Sequence, residues 1–321
     1  MVGAQRKTLS LFILRRLVLG SLTVFAVVTI VFFAIRLIPG DPVHIWLGEY
    51  ATPQLVELTR AKWGLDKPIW GQYFTYTNNL LRGDLGNSLH KKLPIADLFK
   101  RNYPFTVRLV FFSTILSILI AIPVGIFAAV RQNSWVDMIS MMFSFLFISM
   151  PSFWLGLIAI IVFSFTLGWF PAIGGEGEGG LWKSLSFLFL PSVCMGLRFA
   201  GETSRMVRSA MIDTLNMDYI TVARSKGLSE WVIRYKLALR NALSPIVSLI
   251  GVSFVLSFAG SIVIEIVFTR PGLGMLYVSA VANRDYPLIQ GCMILIAVAV
   301  VVVNTLIDIS YCLIDPRIRH E

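Results

Sequence analysis

A chain of 321 residues with 56% hydrophobic and only 14% charged side chains has too little polar surface to cover a water-soluble globule of its size. Its mean hydropathy of +0.75 makes lipid part of its solvent. A net charge of +10 would suit nucleic acid on a soluble face, but here Lys and Arg cluster beside apolar runs, so membrane topology is the better explanation.

In chain order, Arg6, Lys7, Arg15 and Arg16 precede an apolar run at 17–38, which reads as a cytoplasmic N-terminus (1–16) followed by a first transmembrane helix. The run exceeds the core of a cleaved signal and has no small-x-small site before Pro39, so it is expected to be retained. Residues 39–104 form an extracytoplasmic helical segment in which Thr52-Pro53 suits a helix start, Gly64 a stop, and Pro68 opens a helix carrying Trp70, Tyr73 and Phe74. Those aromatics suit the lipid interface. The segment opens a core domain over 105–314.

Spans two and three are expected at 107–130 and 138–168; residues 138–175 carry no charge, and Pro151 is expected to break or bend the third span. The glycine-rich stretch 174–180 is an outer loop without a phosphate cradle, since no strand precedes it and no Lys-Ser/Thr follows. Span four, at 184–206, is interrupted by Arg198 and Glu202, which share a helix face at a spacing of four. They can neutralise one another where each would otherwise cost about 2.5–3.5 kcal/mol near the bilayer centre. Either they line a transport path or gate, or they snorkel to the inner headgroups beside Arg205 and Arg208.

A basic cytoplasmic loop at 207–243 follows, then span five at 244–267 with Ser244-Pro245 as cap and first residue. Glu265 near its end is a path carboxylate or a structural partner for Arg270 or Arg284. Pro271, Gly272 and Gly274 forbid a continuous helix and mark a structural turn before span six at 288–309. Residues 315–321, with Arg317 and Arg319, form a cytoplasmic C-terminus. The expectation is an all-α membrane protein of six transmembrane helices with both termini inside.

Within the basic loop, Asn216 or Asp218 can cap a helix on which Tyr219, Val222 and Ala223 share a face; Arg224 and Lys226 suit its last turn, and Gly227 can stop it in the left-handed conformation. Ser229 can cap a second helix with Trp231, Tyr235, Ala238 and Ala242 as its apolar stripe.

The sequence YITVARSKGLS, followed by LALRNALSPIV, resembles the cytoplasmic signature loop of ABC importer permeases of the dipeptide/oligopeptide/nickel family. Ala223 and Gly227 match the widest form of that motif, while Thr221 and Val222 replace its first two residues. The phrases IPGDP, WGLDKP and LLRGDLGNS, the outer turn around TRPGLG and the ending DPRIR are similar to the same family in the same order. The resemblance implies a type I importer permease fold and a coupling helix, Asp218 to Leu228, that docks on an ATP-hydrolysing subunit. It implies two such ATPases using ATP and Mg, a homologous second permease in a heterodimer (or, alternatively, a homodimer), an extracytoplasmic solute-binding protein, and a prokaryotic inner membrane. Peptide is the expected cargo, with glutathione, nickel chelates or oligosaccharides as alternatives.

No GxxxxGK[ST] cradle for ATP occurs in the chain, so it is expected to bind no cofactor. An ion-coupled secondary transporter would be expected to carry acidic residues or broken helices at mid-membrane, and spans two, three, five and six have uncharged cores. His44, His90 and His320 are scattered and Cys194, Cys292 and Cys312 lack paired spacing, so neither a catalytic set nor a metal site is expected.

Overall fold

Long apolar runs bounded by Pro, Gly and basic clusters dictate helices, because a backbone in lipid must satisfy its own hydrogen bonds. In the computed structural model, residues 2–37, 40–174 and 180–314 are described, and among them regular structure is helical, with one isolated β-bridge between Asn87 and Pro94. Helix α1 is Val2–Arg36, and α2 (Pro42–Leu47), a 3₁₀ turn (Gly48–Tyr50), α3 (Pro53–Lys62) and α4 (Ile69–Leu81) follow. Then come α5 (Ile95–Val130), α6 (Trp135–Ser149), α7 (Ser152–Ala159) with a π-helical extension (Ile160–Thr166), α8 (Gly180–Leu215) and α9 (Asp218–Ser225). A second π-helical stretch (Val232–Ala238) leads into α10 (Leu239–Val267), followed by α11 (Leu273–Ala282) and α12 (Tyr286–Ile314). Residues 38 and 39 at the expected end of the first span, 175–179 of the glycine-rich loop and the tail 315–321 lie outside the described residues.

Among the described residues five helices are long and apolar enough to cross a membrane, and the bent α6–α7 pair makes up to six by length and composition. Pro151 lies at the 101° bend: it lacks an N–H, and Met150 before it is extended at ψ 128°. Several helices outrun the expected spans. Helix α5 begins at Ile95 because Ile95, Leu98 and Phe99 are buried at helical spacing. Helix α8 continues past 206 because Val207, Ala210, Met211 and Thr214 keep its buried row going. Pro245, expected at a helix start, lies inside α10, where Ala242 and Ile246 continue a buried row from Ala238 at the end of the π-helical stretch. Gly274 stands in the first turn of α11 rather than in the loop, while Gly272 is the extended residue ahead of that helix and Pro271 precedes it.

The chain divides into two units, one of Met1–Leu14, Phe105–Pro271 and Val303–Glu321, the other of Arg15–Pro104 and Gly272–Val302. In the first, α8 packs on α6, α7 and α10. Small residues bring α8 close to α5 and α6: a Cβ on Gly196 would sit 2.7 Å from the carbonyl oxygen of Ser113 in α5, and one on Gly201 2.7 Å from that of Ser144 in α6. The Ser144 and Ser204 hydroxyls are bonded at 2.8 Å. At the start of α6, Asp137 receives both Nε and Nη2 of Arg208 from α8, a bidentate pair.

In the second unit, Val31 and Ile35 of α1 pack with Ile95, Leu98 and Phe99 of α5, Leu273 and Leu276 of α11, and Leu288 and Cys292 of α12. Phe32 and Phe33 meet Trp70, Tyr73 and Tyr76 of α4, and Thr29 bonds the Tyr73 hydroxyl at 2.8 Å. Buried Asp285 accepts from the Ser88 hydroxyl and from the amides of Leu89, His90 and Leu288, fastening the 84–94 loop beside the start of α12.

The backbone approach at Gly196 predicts that Gly196→Ala destabilises the detergent-solubilised protein by about 1–3 kcal/mol. Gly260→Ala, whose Cβ would meet nothing within 4 Å, should be neutral. Thermal unfolding of the two variants checks the contrast.

Candidate functional site

The basic loop between α8 and α10 is the part of the chain whose composition least suits lipid. Helix α9 starts after Met217 without a side-chain cap, so neither Asn216 nor Asp218 plays the capping part expected of it, and Asp218 instead brings its charge to the first turn. The helix ends on Lys226, after which Gly227 turns the chain at φ +77°, with Gly227 N–H donating to Arg224 and Leu228 N–H to Ala223. This is the left-handed stop expected of that glycine.

The face assignment of α9 requires correction. Ile220 and Ala223 point inward, at 0% and 7% exposure, whereas Val222 is 52% exposed; Tyr219 is half-buried. Ala223 is therefore small because it packs within the chain, in a cluster with Val207 and Met211 of α8 and Ile233, Ala238, Ala242 and Ile246 of the following helix. Thr221, Val222, Ser225, Lys226 and Leu228 remain on the outside. The stripe expected on the second helix also divides. A π-helical turn there shifts the register, so Ile233, Ala238 and Ala242 face in while the Trp231 and Tyr235 rings lie on the outer surface, tilted against each other with centroids 5.6 Å apart.

Three polar contacts fix the segment. The Asn241 amide donates to the Tyr219 hydroxyl at 2.6 Å, joining α9 to α10. Glu230 accepts from Arg224 Nε at 2.9 Å and from Arg234 Nε at 3.2 Å, spanning the glycine turn. The Arg224 guanidinium, aided by Arg234, holds the Glu230 carboxyl below its usual range. Glu230 is absent from the residues that sequence reasoning singled out, although its spacing of four from Arg234 was a readable signal. The Asp137–Arg208 pair had no such signal, because its partners lie 71 positions apart.

The three acidic and basic residues considered for a path do not form one site. Arg198 and Glu202 lie 3.7 Å apart on an outer face of α8, with Arg205 over the Phe145 ring at 4.4 Å. Glu265 is fully buried and accepts from the Thr106 hydroxyl, and the Arg270 amide donates to its carbonyl at 2.8 Å. The Arg270 side chain is buried too, over the Phe105 ring. Among the described residues no group of three or more His, Cys, Asp or Glu could hold a metal ion.

Comparison with known proteins decides the family. A profile for the binding-protein-dependent transport system inner membrane component matches residues 121–320, and one for the N-terminal part of such membrane components matches 9–110. The chain belongs to this family. The permease is 37% identical over 310 residues to the glutathione transport system permease protein GsiC of Escherichia coli strain K12, covering 97% of this chain and 99% of that one. It is 36% identical over the same length to the GsiC protein of Shigella boydii serotype 4. An inward-facing structure of the MetNI methionine ABC transporter aligns with a TM-score of 0.58 at 19% identity, over 68% of this chain and 96% of that one, which shows a shared fold. The permease is thus the multi-pass inner-membrane component of an ATP-binding-cassette importer and carries no hydrolase of its own.

The inward position of Ala223 sets a stability prediction. Ala223→Arg should unseat α9 at a cost of at least about 3 kcal/mol, because a long cation would enter an apolar cluster. Val222→Arg should leave stability within about 0.5 kcal/mol of the parent. Thermal unfolding and yield in the membrane fraction measure both.

Proposed function

We propose that this permease forms half of a path for peptides delivered by an extracytoplasmic solute-binding protein, and that α9 with its glycine turn is the surface on which an ATPase subunit acts. The observation that carries the reading is the two-sidedness of α9: Ile220 and Ala223 are locked onto the helices before and after it, while Val222, Lys226 and Leu228 are left for a partner. A helix seated in this way moves with α8 and α10 rather than sliding over them. Two ATPases that close on ATP and Mg would draw the paired helices together and shift the permease between its two states, to the extent that those states bind the ATPases differently.

The basic residues of the segment support a cytoplasmic location, with both termini on the same side. A homologous second permease would complete the path, in a heterodimer. Helix α8 presents Arg198, Glu202 and Arg205 on a face that lipid would not accommodate, which favours that face for the path or the second subunit. Peptide cargo is supported by the GsiC relatives, which are named for glutathione, itself a tripeptide; nickel chelates and oligosaccharides are the other cargoes within this machinery.

The function is tested in proteoliposomes holding the complete transporter with its binding protein. Peptide uptake should require ATP and be indifferent to proton or sodium gradients; uptake driven by a gradient without nucleotide would contradict the proposal. Val222→Arg and Leu228→Arg should insert normally yet lower transport at least about tenfold while ATP hydrolysis persists, since each places a charge at the centre of an apolar contact. Unchanged transport in both would remove α9 as the docking surface.

A further inference from the structure

A cavity of about 1540 Å³ lies within the unit of Arg15–Pro104 and Gly272–Val302, roofed by α3, α4 and the 84–92 loop. Its floor is the end of α1, at Ile35 and Arg36, and the beginning of α12, at Tyr286 and Gln290. Five basic side chains against two acidic ones line it. One pair is satisfied internally, Arg60 on Asp41. Arg36 is held by the Gln72 amide oxygen at 3.1 Å and lies over the Phe32 ring. Lys62, Lys67 and Lys92 have no ion-pair partner among the described residues.

The floor carries the second observation. Gln290 is only 6% exposed, and its Nε2 donates to nothing among the described residues; the buried Tyr286 hydroxyl likewise has no partner there. Buried polar groups without partners are rare and call for a ligand or ordered solvent. Here a buried amide donor and a hydroxyl share a basic cavity, an arrangement suited to an oxyanion.

We propose that this cavity binds the C-terminal carboxylate end of a short peptide. The volume exceeds the usual range for a small-molecule site, about 300–1,000 Å³, and so leaves room for side chains of varied size. Apolar walls at Leu58, Trp63 and Leu85 would take those side chains. A phospholipid fits less well: the lining stops at Ile35 on α1 and Gln290 on α12, so the cavity does not follow the spans down to where acyl chains would lie. The site rests on the reading of peptide as cargo and adds to it a place on the permease itself where the free carboxylate is recognised.

The test is equilibrium binding of radiolabelled alanyl-phenylalanine, and of its C-terminal amide, to the full chain in phosphatidylcholine nanodiscs. Saturable binding of the acid with at least about tenfold weaker binding of the amide is expected, a factor worth about 1.4 kcal/mol. Lys62→Gln with Lys67→Gln, at exposed positions that do not endanger the fold, should weaken the acid severalfold and the amide little. Gln290→Leu should do the same if its thermal unfolding matches the parent; if that variant does not fold, the lysine pair decides. No binding of the acid, equal binding of acid and amide, indifference to the lysine changes, or displacement of the peptide by phosphatidylglycerol would each overturn the proposal. Uptake by the complete transporter, measured in parallel, separates the two readings. ATP-driven peptide uptake without binding to the permease would defeat this site and leave the proposed function intact, whereas absence of peptide uptake would defeat the cargo on which both depend.

Discussion

Ile220 and Ala223 packed against Val207, Met211, Ile233 and Ala238 form the contact on which the account rests. Burying a side chain of the size of Ile220 is worth about 1.5–3 kcal/mol, and the small Ala223 lets the eight-residue helix approach its neighbours closely. An isolated helix of that length would not persist in water. Its packing therefore makes it a helix, and the same packing joins it to α8 and α10, so one set of contacts supplies both its fold and its mechanical connection.

On the proposed coupling role, α9 needs a stiff structure to act on, and the unit that contains it has one. Glycines and serines bring α8 against α5 and α6 at backbone distance, with the Ser144–Ser204 bond inside the seam. Arg208, on the same stretch of α8 as Val207, reaches Asp137 at the start of α6 in a bidentate pair, which fixes orientation as well as distance. The glycine turn after α9 is held from outside by Glu230 between Arg224 and Arg234. Such exposed pairs add little stability, but two of them on one carboxylate set the direction in which Leu228 and Trp231 leave the helix.

Much of this was legible in the sequence, and what was missed has physical reasons. Composition and uncharged runs fixed the membrane class, Pro151 marked the sharp bend, and Gly227 marked the left-handed stop. The helices outrun the expected spans where hydropathy fades but helical packing continues, as at Ile95, Met211 and Pro245, because a scan for apolar spans does not register a helix that projects beyond the bilayer. The orientation of α9 is not legible locally because Val222 and Ala223 are adjacent and both apolar; which of them faces inward depends on the cluster that holds Ile220 and Ile233, which is tertiary. The π-helical turn at Val232–Ala238 likewise shifted Trp231 and Tyr235 out of a stripe that an ideal period of 3.6 would have buried. Asp137–Arg208 and Ser88–Asp285 join positions far apart in the chain, and no local pattern announces them.

The central claim is that the outward side of α9 is gripped by the ATPase while the inward side is fused to the spans. Single-cysteine cross-linking in the assembled transporter, with Cys194, Cys292 and Cys312 replaced by serine, tests it most directly. Val222→Cys and Leu228→Cys should each form a covalent adduct with the ATPase subunit, and Ala223→Cys should form none. Adducts at 223 with 222 and 228 left free would contradict the account.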